Sequence, residues 1–143
     1  MDWVGLFTKF DGRISRKPFW IGMLILAAFE VAIQLASDSF DSERMGVVLD
    51  LIVTYPEFAV LVKRAHDRNI STWVVGTFIA LSVAVDLFAL AGYGLNRVTQ
   101  PILFYLVIVP LGLFALVLLV DLGFRRGTEG DNRYGPDPLL AKP

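Results

Sequence analysis

The chain has 143 residues, 55% hydrophobic and 19% charged, with a mean hydropathy of +0.61 and a formal net charge of −1. A soluble domain carries about 45–50% apolar and about 25% charged residues, so the composition argues against an ordinary water-soluble globule. The absence of cysteine excludes disulfides, thiolate metal sites and cysteine nucleophiles.

In residues 1–10, Trp3, Leu6, Phe7 and Phe10 recur at helical spacing on one face. A basic cluster follows, so the stretch reads as a short interfacial helix on the membrane surface; a frayed terminus is the plainer alternative. Gly12 permits a turn, Ser15 suits an N-cap, and Pro18 suits a first helical turn. Phe19 and Trp20 fall where aromatic side chains anchor a span at the headgroups. Arg13, Arg16 and Lys17 serve either as a topogenic signal or in contacts with anionic headgroups, each cation contributing about 1 kcal/mol near the surface.

Four apolar runs follow, at residues 18–36, 46–62, 73–92 and 101–122. Crossing a bilayer takes roughly 20 residues of helix, and the second run is the shortest. The first lies behind an organised N-terminal segment and lacks a clear small-residue cleavage site, so it reads as a retained helix. It carries Glu30 and Gln34. An acidic connection with Asp38, Asp41 and Glu43 leads to the second run, which holds Asp50, Thr54, Pro56 and Glu57. Pro56 is expected to kink it. Lys63 to Trp73 reads as a basic central loop with the chain's only histidine, His66; Ser71 is its cap and Trp73 a second interface anchor. The third run contains Asp86 and ends at Gly92-Tyr93-Gly94. The fourth opens at Pro101, holds Pro110 and Gly112, and ends at Asp121. The tail, residues 123–143, is rich in turn formers and reads as an ordered or semi-ordered loop, not a helix.

Eleven Lys and Arg residues lie in the N-terminal segment, central loop and tail; the other two connections hold only Arg44 and Arg97. Basic residues in short loops stay cytoplasmic. The expected fold is therefore an all-α membrane protein, one integral membrane domain over residues 1–143. Four transmembrane helices form two hairpins, both termini are cytoplasmic, and a short interfacial helix leads in.

Ionisable groups inside a membrane are costly and are functional candidates. Glu30, Asp50 and Asp86 fall in the outer half of three different spans. Converging, they would form a proton or hard-cation site. Otherwise each faces outer water, pairs with Arg44 or Arg97, or hydrogen-bonds as a neutral acid. Glu57 with Arg64, and Asp121 with Arg125, read as structural ion pairs. His66-Asp67 invites an enzymatic reading, but one histidine and no cysteine do not make a zinc site, and adjacent side chains diverge too far for a triad with Ser71. The expected roles are local: Asp67 capping the N–H groups of Asn69 or Ile70, and His66 bonding the tail or Asp121. Arg13, Arg16, Arg64 and Arg68 are expected to meet Asp67, Asp121, Asp131 and Asp137 on a cytoplasmic platform.

Three motifs carry a resemblance. They are Phe10-x-Gly12-Arg13-x-Ser15-Arg16-x-x-Phe19-Trp20, then Arg64-x-His66-Asp67-x-x-x-Ser71-x-Trp73, then Gly127-Thr128-x-Gly130-x-Asn132-x-Tyr134-Gly135-Pro136-Asp137-Pro138. In this order they enclose nearly the whole chain, which resembles the DUF805 family of small bacterial inner-membrane proteins. The chain departs from that pattern at Ala65, where leucine is usual, at Thr72, where glycine is usual, and at Pro18, where an acid is common. The resemblance implies an inner-membrane location and supplies no activity.

The leading functional expectation is a non-enzymatic bundle that meets lipids, including anionic headgroups, or a protein partner through a basic cytoplasmic platform. The alternative is a small proton- or cation-coupled transporter or channel using the outer acids, as a homo-oligomer because four helices enclose little space. An enzyme acting on lipid headgroups is the weakest reading. No catalytic residue, metal ligand or cofactor is assigned, and nothing suggests nucleic-acid binding.

Overall fold

The computed structural model describes residues 2–95 and 98–140. Arg97 and Lys142, which enter the charge count, lie outside them, as does Asn96. The elements are α1 (Trp3–Thr8), α2 (Arg16–Ser39), α3 (Glu43–Asp67), α4 (Thr72–Phe88), a π-helical turn (Ala89–Tyr93) and α5 (Pro101–Phe124). There is no β-strand among the described residues, only an isolated bridge between Asn132 and Gly135 in the tail. Four helices are long and apolar enough to cross a membrane: α2, α3, α4 with its π turn, and α5.

The helices overrun the apolar runs because their polar ends find partners. The largest difference is at α3, which continues through Lys63, Arg64, Ala65, His66 and Asp67. This segment is not a loop, as hydropathy suggested. Charge ends an apolar run but does not end a helix. The stop comes at Asn69, whose φ of 57° is left-handed. The Ile70 N–H returns to the Ala65 carbonyl at 2.8 Å and the Asn69 N–H to that of His66 at 3.0 Å. This is a Schellman C-cap with asparagine in glycine's usual place. Farther along the chain, α3 passes through Pro56 as one helix, and Gly92, at φ 86°, takes the left-handed turn that finishes the third span.

Packing concentrates at one end of the molecule. Leu6, Phe19, Leu26, Val60, Leu61, Val62, Ala65, Val75, Ile79 and Leu122 form the buried core, where α2 and α4 begin and α3 and α5 end. Phe19 is fully buried there, so it is a core residue and not a headgroup anchor. Over its whole length α5 buries only Leu118, Leu122 and Gly123, all toward that end. Its remaining apolar surface suits lipid, since hydrocarbon tails solvate it without penalty.

The N-terminal helix is docked, not afloat. The Asp2 carboxylate caps it through the Gly5 N–H. Leu6 packs over Gly22 together with Val60, and Phe10 meets Tyr55 and Phe58. The Lys63 ammonium donates to the carbonyls of Gly5 and Leu6, the latter at 2.6 Å. A cation on the last carbonyls of a helix also meets the negative end of its dipole. Trp3 and Val4 alone stay exposed among its large apolar residues.

Candidate functional site

The Asp67 carboxylate is the hub of the packed end. One oxygen accepts from Arg13 Nη2 at 3.1 Å and Nε at 3.2 Å; the other accepts from Arg64 Nη1. The three side chains are between 1% and 4% exposed. Burying two cations and one anion is tolerable only when every donor is used. Arg13 spends its other donors on the carbonyls of Thr128 (2.6 Å), Gly130 (2.7 Å) and Gly135 (3.2 Å). Arg64 spends its own on Leu122 (2.6 Å), Arg125 (2.6 Å) and Ile14 (3.3 Å). No buried side-chain nitrogen or oxygen among the described residues lacks a partner. Two arginine forks thus tie the α1–α2 connection, the end of α3, the end of α5 and the tail into one block.

Several expected pairings are replaced. Asp67 does not cap Asn69 or Ile70; its side chain is committed to arginines and its carbonyl accepts from Thr128 N–H (2.7 Å) and hydroxyl (3.0 Å). Arg64 turns to Asp67, not Glu57. Arg16 reaches the Phe124 carbonyl at 3.3 Å, not an acid. Asp131 and Asp137 serve backbone N–H groups: Asp131 accepts from Asp137, and Asp137 from Gly130 and Leu139. Those tail N–H groups were nearer than any arginine. Arg68 and Arg125 do meet Asp121, at 3.3 and 2.8 Å.

His66 makes no bond to Asp121. Its Nδ1 lies 3.1 Å from the Gly12 carbonyl and its Nε2 2.8 Å from the Thr72 hydroxyl. A carbonyl only accepts, so Nδ1 carries the hydrogen and Nε2 receives one from Thr72. Both ring nitrogens are engaged, which leaves no lone pair for a substrate. Ser71 is turned away, its hydroxyl accepting from the Trp73 N–H at 3.4 Å as an N-cap. Instead the imidazole stacks on Tyr134 of the tail, with centroids 3.8 Å apart and planes 9° apart. Arg133 lies over the same tyrosine ring, 4.7 Å from its centroid.

Asn132 locks the tail in place. Its amide donates to the His66 carbonyl (2.9 Å) and the Thr128 hydroxyl (2.7 Å), and its oxygen accepts from the Tyr134 N–H (2.9 Å). Beside the hub, Gly127 packs against the Asp67 carboxylate and Gly123 against the Trp20 ring, where a β-carbon would collide. Trp20 also donates to the Gly123 carbonyl at 3.1 Å. Ser15 occupies the N-cap of α2, but its hydroxyl makes no cap hydrogen bond. Trp73 is 83% exposed at the start of α4.

The intramembrane acids are less dispersed than their separation in sequence suggests. Glu30 on α2 and Asp50 on α3 are close enough to interact electrostatically, with Glu57 and Asp86 in the same neighbourhood. Arg44 forms no ion pair with them among the described residues, and Arg97 lies outside those residues. No group of three His, Cys, Asp or Glu among the described residues is arranged to hold a metal ion.

The sequence model of DUF805, described as a protein of unknown function, matches residues 7–136. This chain belongs to the DUF805 family. As a DUF805 protein it is 34% identical over 139 residues to the uncharacterized protein YiiR of Escherichia coli K12, covering 94% of this chain and 88% of that one. It is also 25% identical over 150 residues to the inner membrane protein YhaH of E. coli K12, covering 98% of each. No solved structure matches. The match covers the first two motifs and the third as far as Pro136, and the hydrogen bonds among Arg13, Arg64, His66, Asp67 and Asn132 join them in space. Thr72 supplies the hydroxyl that His66 uses; glycine would offer none. Lys63, Thr128 and the main chain of Asp67 were missed as partners in the sequence. Their roles depend on which carbonyls and amides arrive beside them, and no spacing encodes that.

Proposed function

We propose that this DUF805 protein is a non-enzymatic inner-membrane bundle that interacts with anionic lipids through its Asp67 end, which faces the cytoplasm with both termini. The orientation rests on the eleven-to-two distribution of basic residues, and the membrane on the apolar spans and the likeness to YhaH. The observation that carries the lipid reading is a division of labour among cations. Arg13 and Arg64 turn inward to Asp67, while Arg16, Lys17, Arg125 and Arg126 remain exposed where α2 begins and α5 ends. Cations at that height attract the negative leaflet, and a rigid platform holds them there at little entropic cost.

The test is thermal unfolding of the intact protein in nanodiscs of phosphatidylcholine with and without phosphatidylglycerol. The anionic discs should raise the midpoint, and added salt should remove the gain. Equal midpoints at low salt would defeat the reading. Orientation is read separately from the cysteine-free chain. Glu129→Cys should resist, and Ser42→Cys accept, an impermeant maleimide added to spheroplasts.

A second reading, a small oligomeric proton- or cation-coupled transporter, is supported by the approach of Glu30 to Asp50 in the outer half of the spans. Proteoliposomes would then show a proton or cation flux that Glu30→Gln abolishes. No flux above empty vesicles would end it.

A further inference from the structure

We infer that the cleft between the start of α2 and the end of α5 binds the phosphate of one anionic lipid headgroup. The inference rests on the lipid-interaction reading above and assigns it a place and a stoichiometry. The cleft has a volume of about 540 Å³, within the range of small-ligand sites, roughly 300–1,000 Å³. Arg16 and Lys17 approach it from α2 and Arg126 from the tail, with Trp20, Phe124 and Leu139 as its apolar wall.

Charge in the cleft is free for an anion. Asp67 also lines it, but is held by Arg13 and Arg64; Asp137 lines it, but is held by the N–H groups of Gly130 and Leu139. Glu129 sits 3.8 Å from Arg126 with both side chains more than three-quarters exposed. Such a loose pair contributes little and yields to a better anion. Lys17 makes no side-chain hydrogen bond or ion pair among the described residues. Arg16 uses one donor, on Phe124.

The backbone adds to this. The Ser15 hydroxyl leaves the first turn of α2 without a side-chain cap, and Pro18 has no N–H to offer. The N–H groups of Arg16 and Lys17 therefore stand at the positive end of a 24-residue helix, beside two cationic side chains. A phosphate group, with several acceptor oxygens, satisfies both kinds of donor at once.

Phosphate arrives either on a lipid or free in solution. The wall selects the lipid. Trp20 and Phe124 meet edge to face, centroids 5.4 Å apart, and this aromatic pair continues directly into the apolar lengths of α2 and α5. A headgroup phosphate in the cleft leaves its glycerol and acyl chains along that surface, and Leu139, 74% exposed, adds to it.

The experiment is calorimetric titration of the full-length protein in detergent with dihexanoyl phosphatidic acid, dihexanoyl phosphatidylcholine and inorganic phosphate. We expect saturable binding of phosphatidic acid at one per chain, and much weaker binding of the other two. Lys17→Gln with Arg126→Gln should weaken it about tenfold or more, the loss of roughly one charge-assisted contact. Arg133→Gln, a platform cation away from the cleft, should change it less than about twofold. Unchanged resistance of the tail to protease shows that the double variant is folded. Absence of saturation, indifference to the double variant, or equal binding of inorganic phosphate would each overturn the inference. If the parent protein shows no saturable binding yet keeps the nanodisc preference for anionic lipid, the site fails and the surface reading stands. If that preference is absent in the parent protein too, both fail.

Discussion

Arg13 and Asp67, 54 residues apart in the chain, meet at 3.1 Å with their side chains only 1% and 4% exposed. Their pairing explains why the tail of this protein is ordered. The same guanidinium that reaches Asp67 also gathers carbonyls from Thr128, Gly130 and Gly135. A tail of turn formers has no core of its own, so its order derives from this borrowed set of donors.

Asp67→Ala should be among the most damaging single changes at the packed end. It leaves Arg13 and Arg64 buried without their counter-charge, a loss of about 3–5 kcal/mol. Denaturant unfolding in detergent measures it. Arg13→Lys should recover little of the tail's protease resistance, because an ammonium cannot span the four acceptors that the planar fork reaches.

Asn132→Ala should act locally. It removes bonds to the His66 carbonyl and the Thr128 hydroxyl and frees the Tyr134 N–H, costing about 1–3 kcal/mol. Amides of the tail should exchange faster while those of α2 and α3 keep their protection. A uniform loss across the spans would show that the tail and the bundle unfold as one unit.

Tyr134→Phe should keep the stack on His66, and Tyr134→Ala should lose it, at about 0.5–1.5 kcal/mol. The imidazole proton shifts of His66 report this directly, since a stacked ring shields them. Identical shifts in parent and alanine variant would mean that the rings do not stack in the membrane-embedded protein.

Asp137 provides the acid limit of the tail. The N–H groups of Leu139 and then Gly130 hold its carboxyl below the ordinary value of 3.8. A carboxyl lowered on folding contributes stability that is present above its unfolded value and disappears as pH falls through its lowered one. Tail protection should therefore be flat above about pH 4 and fall below it. In Asp137→Asn that acid-dependent step should shrink, because the Asp67 carboxylate that pairs with Arg13 still takes up a proton in acid; a step of unchanged size would belong to another group.

Gly123→Ala should separate α2 from α5. A β-carbon there would lie 2.6 Å from the Trp20 ring, and overpacking of this kind costs about 1–3 kcal/mol. The indole should also lose its bond to the Gly123 carbonyl, seen as a shift in tryptophan emission. Gly112→Ala, where the added carbon meets nothing, is the control.

The apolar runs, their number and the family motifs were legible because they are local properties: about 20 mostly apolar residues in a row, or a fixed order of Gly, Arg, Asn and Tyr. Which end of each span is basic was legible too, since that is a count along the chain. That Lys63–Asp67 is helix was not legible, because charge masks helicity in a hydropathy pattern and the Asn69 cap is a weak local signal. Which arginine serves which carboxylate, and that Asp131 and Asp137 serve amides instead, was decided only by the tertiary structure. A guanidinium has five donors and many acceptors of similar energy within the chain. Only the folded backbone, by bringing Thr128, Gly130 and Gly135 to Arg13 and Leu122 to Arg64, selects among them.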